Sequence, residues 1–404
     1  MPDLSFSSLA VVLTVAFVTP LALGLVPRLR VPAVVVEIVL GIVIGPAVLG
    51  WAHPDQVVKT LSVVGLAFLL FLAGLELDLT RLRGRTLRLT GLGFVISLGL
   101  AMVCGLGLSA AGLVKSPMLA AVILTATSLG LVLPVLKEAG EASTDLGQLI
   151  IAAASIADFA AIVLLSLLFS RDATGTGAKL ILLVEFAALV AVLGVGPGLS
   201  GRNMRISALL VRLQDSTAEI RVRGAVLLLI VLIVMAQHFG LETILGAFVA
   251  GAVVGLVDRD TMQTHPQFRV KLDAIGYGFV IPVFFVTSGM EFDLKALLAE
   301  PSTLALVPIF LVALLVARGA PALLYRSTVG SGGTVAAGLL QATSLPFIVA
   351  STSIGVSLDL ITPATAAAFV AAGLCSALIF PVIALGALRG RRRDEAVVPT
   401  PVSA

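Results

Sequence analysis

Charge is scarce in this chain: of 404 residues only 12% are Asp, Glu, Lys or Arg, about half the share carried by a soluble domain. That scarcity excludes a soluble enzyme, a nucleic-acid-binding protein and a secreted scaffold. Cysteine is scarcer still. The two present, Cys104 and Cys375, both lie in apolar runs, so no disulfide framework and no metal site is suggested. The three histidines, His53, His238 and His265, stand at or near loops without metal-ligand spacing. There are 2 Tyr and 1 Trp, too few to line a large aromatic cavity. The start, MPDLSFSSLAVV, lacks the basic stretch of a cleaved signal peptide and is read as the opening of a first span. What is present is apolar surface: 59% hydrophobic residues and a mean hydropathy of +1.14. The expected class is an all-α integral membrane protein.

Membrane helices need roughly 20 apolar residues each. Breaking the chain at polar and Pro/Gly punctuation predicts thirteen spans, near 7–27, 33–51, 60–79, 88–113, 118–136, 146–169, 178–198, 219–238, 242–257, 273–290, 302–325, 333–356 and 361–387. An odd number puts the termini on opposite sides, and the basic residues test that count independently. Twenty Lys and Arg fall on one side, among them Arg28, Arg30, Arg81, Arg326 and the run Arg391 to Arg393. Five fall on the other: Lys59, Lys115, Arg171, Lys179 and Lys295. The split predicts a multi-pass protein of the cell membrane with its N-terminus outside and its C-terminus in the cytoplasm.

Three short matches recur in the same order. Glu37-Ile-Val-Leu-Gly41 pairs with Glu242-Thr-Ile-Leu-Gly246, Gly74-Leu-Glu-Leu-Asp-Leu79 with Gly289-Met-Glu-Phe-Asp-Leu294, and Ala126-Thr-Ser-Leu129 with Ala342-Thr-Ser-Leu345. Their offsets are 205, 215 and 216 residues. Matching spans are seven apart, so the two copies face opposite ways across the bilayer. The expected organisation is a first inverted repeat of six spans (1–170), a linking span and cytoplasmic connector (171–217), a second inverted repeat (218–388) and a short basic cytoplasmic tail (389–404).

Ionisable groups in mid-span are costly and by default mark function. Asp158 stands at the midpoint of the sixth span, with Ser155 one turn before it on the same face, and Arg318 lies near the middle of the eleventh. The bland alternative is a buried ion pair that only fixes packing. The fifth and twelfth spans carry hydroxyls beside helix breakers: Thr125, Thr127, Ser128, Gly130 and Pro134 in one, Thr343, Ser344 and Pro346 in the other. Interrupted helices at corresponding positions point to a binding site whose oxygens suit an alkali cation. The alternative is a proline kink with hydroxyls bonded to their own helix. A carboxylate that holds either a proton or a small cation exchanges one for the other, which is antiport. Arg318 either neutralises the empty carboxylate or anchors the broken helices. Glu76, Asp78, Glu291 and Asp293 are read as capped or hydrated span exits, Glu37 and Glu242 as interfacial residues at span starts, and Glu185 as facing a partner helix.

The runs LLFLAGLELDL, TATSLGLVLPVLKEAG, ASIADFAAIVLLSLLF and IPVFFVTSGMEFDL resemble the membrane domain of the cation:proton antiporter-2 family, which includes Kef-type potassium efflux antiporters and bacterial sodium/proton antiporters. The resemblance covers about residues 7 to 388. It implies the sodium/proton antiporter fold: a core domain with two crossed broken helices, a separate dimerisation domain that makes a homodimer, and an elevator-like movement of the core. Residue by residue, it implies that Asp158 is the ion-binding aspartate, that Thr127 and Ser128 form the unwound stretch of the first broken helix, and that Arg318 is the basic residue of the core. Electrogenic members carry two adjacent aspartates and Kef-type members a Gln-Asp pair, whereas Ala157 precedes Asp158 here; one carboxylate implies electroneutral exchange. Kef-type proteins usually continue into a nucleotide-binding domain, and the ending RGRRRDEAVVPTPVSA leads to the expectation that such gating is missing here.

The leading expectation is exchange of Na+ or K+ for H+ by alternating access, with no enzyme activity and no cofactor. The protein's partners are then these ions, the lipid bilayer and a second copy of the chain, and no nucleic acid. A sodium-coupled symporter of an organic anion and a non-transporting membrane component are the competing readings.

Overall fold

The computed structural model describes residues 6–25, 31–76, 84–169, 219–259, 267–299 and 301–397. Lipid offers no hydrogen bonds, so an apolar run of this length satisfies its backbone by coiling into helix. Every regular element among the described residues is helical. In chain order they are α1 (Ser7–Leu25), α2 (Ala33–Ile44), α3 (Gln56–Leu75), α4 (Gly84–Ala110), α5 (Pro117–Thr125), α6 (Leu129–Glu138), α7 (Asp145–Phe169), α8 (Ile220–His238), α9 (Thr243–Arg259) and α10 (Gln267–Ile275). There follow α11 (Ile281–Met290), α12 (Leu294–Ala299), α13 (Pro301–Leu314), α14 (Arg326–Gln341), α15 (Pro346–Ser357) and α16 (Pro363–Val397). A π-helical turn, Gly276–Val280, joins α10 to α11, and Leu315–Gly319 (π) and Ala320–Tyr325 (3-10) join α13 to α14.

Helix covers twelve of the thirteen expected spans. The seventh, 178–198 with Glu185, lies outside the described residues, as do the 171–217 connector, Asp78 and His265. Local chemistry sets the ends. Ser116 caps α5 by accepting the Leu119 N–H at 3.3 Å, with Pro117 at the first helical position. The second span is shorter than expected: α2 stops at Ile44 because Pro46 disfavours helical geometry at Gly45. Inside α14 the helix is interrupted at Gly330 (φ 73°), a conformation that glycine adopts freely.

The described helices fall into two compact units. One holds α1 to Leu21, α2 from Glu37, α3, the end of α7 from Ile162, and the chain from α8 through Glu291. The other holds the start of α2, α4 to α6, α7 to Ala161, and α12 to α16. Each unit draws residues from both the 1–170 and the 218–388 segments, so a boundary drawn between the repeats cuts across both units.

In the first unit, glycine sets the distance between helices. A Cβ on Gly41 of α2 would collide with the Val286 carbonyl of α11, and one on Gly289 with the Ile38 carbonyl. The same contacts recur between α9 and α3: Gly251 against the Phe71 carbonyl, and Gly74 against the Phe248 carbonyl. Gly45 meets Met290 as Gly255 meets Leu75. The pairs 41/251, 45/255 and 38/248 share an offset of 210, and 71/286, 74/289 and 75/290 share 215. The repeat is therefore present in the packing, but the second and ninth spans align five residues away from the string match at 205. Gly246, matched to Gly41 in sequence, packs on the Leu232 carbonyl of α8 instead. Backbone contact sets the register here, and only glycine permits it.

In the second unit the fifth and twelfth spans are both broken. Residues 126–128 separate α5 from α6, and 342–345 separate α14 from α15. Leu129, Val132, Leu136, Leu149, Ile150, Leu340 and Phe380 pack around them in one apolar cluster. Phe310 and Phe369 stack at a centroid distance of 3.7 Å, tying α13 to α16.

Candidate functional site

The second break is legible in its sequence. Pro346 opens α15, and the residue before a proline avoids helical geometry, so Leu345 stands at φ −144°, ψ −57°. The first break includes Thr127 and Ser128 and leaves the neighbouring helix breakers inside a helix. Gly130 and Pro134 lie inside α6, and the extended residues come earlier, with Ala126 at φ −75°, ψ 150° and Ser128 at φ −114°, ψ 98°. What holds residues 126–128 open is tertiary. The Ser128 N–H donates to the Thr343 carbonyl at 2.9 Å, and the Thr127 hydroxyl donates to the Gln341 carbonyl at 2.6 Å. Each break thus satisfies the polar backbone that the other exposes.

Arg318 completes this crossing. It is 1% exposed. Its Nε and Nη2 donate to Thr127 Oγ1 at 2.9 and 2.7 Å, Nη1 to Ser97 Oγ at 3.3 Å, and Nη2 to the Ala153 carbonyl at 3.5 Å. Thr127 Oγ1 is therefore donor to one broken helix and acceptor from the guanidinium at once. α5 ends at Thr125 and α14 at Gln341, so a cation there faces the negative ends of two helices.

Asp158, half-buried in α7, has the opposite surroundings. Its Oδ2 accepts the N–H of Leu129, the first residue of α6, at 3.3 Å. A helix N-terminus favours negative charge. The crossing sorts the two charges by helix polarity, with guanidinium at C-terminal ends and carboxylate at an N-terminal end.

The other expected residues divide. Ser128 is 8% exposed and precedes α6 without a side-chain cap bond. Ser155 is buried, and its hydroxyl donates to the Ile151 carbonyl at 2.9 Å, within its own helix. Thr125 and Thr343 likewise donate to Val122 and Leu339 carbonyls. For these three the bland reading of hydroxyls bonded to their own helix describes the geometry, while Thr127 escapes it. Ser344 is wholly buried and its hydroxyl has no hydrogen-bond partner among the described residues. Glu37, expected at an interface, lies inside α2 at 5% exposure. Glu76 caps α3 and pairs with Arg269 at 3.4 Å, and Asp293 accepts the Ala296 N–H at 2.8 Å as a cap for α12.

Gln341, Ser97 and Ser376 take part in this network without having been expected to. Gln341 offered a signal, being an uncharged polar residue directly before the repeated Ala-Thr-Ser-Leu string. Ser97 and Ser376 offered none, since a serine among small residues reads as ordinary helix packing.

Comparisons with known proteins follow the same line. A family model described as sodium/hydrogen exchanger, transmembrane, matches residues 13–385. The chain is 32% identical over 397 residues to YjbQ of Bacillus subtilis, provisionally named a Na(+)/H(+) antiporter, covering 95% of this chain and 63% of that one. It is 28% identical over 382 residues to a Methanocaldococcus jannaschii protein named Probable Na(+)/H(+) antiporter 3 (92% and 94% covered), and 27% identical over 348 residues to the Na(+)/H(+)-K(+) antiporter GerN of Bacillus cereus (83% and 85%). Among solved structures, the sodium proton antiporter MjNhaP1 from M. jannaschii at pH 8 superposes with a TM-score of 0.65 at 18% identity, over 95% of this chain and 97% of that one. That likeness establishes the fold, an all-helical one. The chain spans 63% of the length of YjbQ.

Proposed function

The chain belongs to the sodium/hydrogen exchanger family, and from that premise we propose that it is a secondary active transporter exchanging a monovalent cation, Na+ or K+, for H+ by alternating access. The observation that carries the reading is the buried crossing: two helix breaks bonded to each other, a guanidinium at their C-terminal ends, and Asp158 at the N-terminus of α6.

Asp158 is the exchanging group. Its carboxylate takes a cation or a proton, and movement between faces with either bound carries the two ions in opposite directions. The Leu129 amide supports the carboxylate when it is empty. Arg318 has two duties: it anchors Thr127, and it offsets the negative charge of Asp158 in the unloaded state. Thr127, Ser128, Ser155, Thr343 and Ser344 supply the oxygen-rich surroundings of the breaks, Thr127 chiefly by holding them together. With Ala157 beside Asp158, one carboxylate supports one-for-one, electroneutral exchange. The reading includes an N-terminus outside, a cytoplasmic C-terminus, a homodimer in the cell membrane, and an elevator-like movement.

The test is a pH-gradient dye assay in proteoliposomes with Na+, K+ and Li+. Wild type is expected to dissipate the gradient on addition of at least one cation, and Asp158→Asn to leave it intact. Equal rates in the two proteins would overturn the role of Asp158.

A further inference from the structure

Asp158 and Ser376 stand at like distances along the helices that follow the two breaks. Each stands thirteen residues beyond the first residue of its helix, Asp145 in α7 and Pro363 in α16. Each follows a broken helix and accepts a main-chain N–H at its break: that of Leu129, directly after the first break, to Asp158 Oδ2 at 3.3 Å, and that of Ser344, within the second, to Ser376 Oγ at 3.2 Å. A carboxylate serves the first break and a neutral hydroxyl the second.

Ser376 is wholly buried, and its Oγ also lies 3.0 Å from the Ser344 carbonyl and 2.8 Å from the Gly373 carbonyl. Both main-chain polar groups of Ser344 therefore end on one side chain. The residue before it, Thr343, gives its carbonyl to Ser128 N–H, and Ser128 precedes the helix whose first amide meets Asp158. A buried series of bonds leads from the hydroxyl in α16 to the carboxylate in α7. We propose that Ser376 is a positioning residue for exchange at Asp158, holding the second break so that the α6 N-terminus stays aimed at the carboxylate.

The inference rests on the proposed antiport, and the experiment separates the two. Wild type, Asp158→Asn, Ser376→Ala and Ser376→Thr are compared in proteoliposomes with the cation, among Na+, K+ and Li+, that wild type exchanges fastest, reading apparent KM and kcat separately, with a melting curve for each. Ser376→Ala is expected to raise the KM for that cation about tenfold with a smaller change in kcat. Ser376→Thr, which keeps the hydroxyl, is expected to stay within about twofold of wild type. Wild-type KM in Ser376→Ala beside an inactive Asp158→Asn would overturn this inference alone, as would equal impairment in the Ala and Thr variants. Undiminished exchange in Asp158→Asn would overturn the antiport reading and the inference with it. If Ser376→Ala does not survive purification, Ser376→Cys takes its place under the same criteria.

Discussion

Thr127 offers a sharp test at the scale of one residue, because a single hydroxyl donates to Gln341 and accepts two bonds from Arg318. Thr127→Val keeps the shape and removes all three, leaving a buried guanidinium short of acceptors. Hydrogen bonds to charged groups contribute roughly 1.5–3 kcal/mol, so the variant is expected to melt at a clearly lower temperature in a heated size-exclusion assay. Thr127→Ser is expected to melt close to wild type. Equal melting of the Val and Ser variants would show that the methyl group, not the hydroxyl, matters there. Asp158 and Arg318 were legible in sequence because ionisable groups at mid-span have few bland explanations, and Thr127 because it stands in the repeated Ala-Thr-Ser-Leu string. Their partners were not: Ser97 and Ser376 are common packing residues until a helix from elsewhere in the chain is seen to meet them.

Among the elements, glycine contacts make the packing testable. Gly251→Ala drives a methyl into the Phe71 carbonyl, whereas Gly224→Ala places one in open space. Overpacking against backbone costs about 1–3 kcal/mol, so Gly251→Ala is expected to lower thermal stability and Gly224→Ala to leave it unchanged. If both variants behave alike, the α3–α9 contact does not hold the first unit together. Helix breaks show the limit of local reading at this scale. Pro346 announced the second break through its own ring. The first has no proline within it: Pro134 is accommodated inside α6, and residues 126–128 stay open because Gln341 and Thr343 bond them. A tertiary cause leaves no local trace.

For the whole molecule, the basic residues make a topological prediction. Lys115 and Arg326 are both exposed and fall on opposite sides of the 20 to 5 split. In a background with Cys104 and Cys375 replaced by alanine, Lys115→Cys is expected to react with a membrane-impermeant maleimide on intact cells, and Arg326→Cys only after permeabilisation. The reverse pattern would invert the proposed orientation. Electroneutral exchange further predicts a rate insensitive to a clamped membrane potential in proteoliposomes; a rate that follows voltage would exclude one-for-one stoichiometry. By itself the sequence determined the all-helical membrane class and singled out Asp158 and Arg318, because burial in lipid penalises every exception to apolar helix and makes each one stand out. Only the tertiary structure decided the register of the repeat, the bonds that hold the first break open, the double bonding of Thr127 and the part of Ser376. Each of these depends on which backbones come within contact distance, and residues more than 200 positions apart in the chain do so only once it is packed.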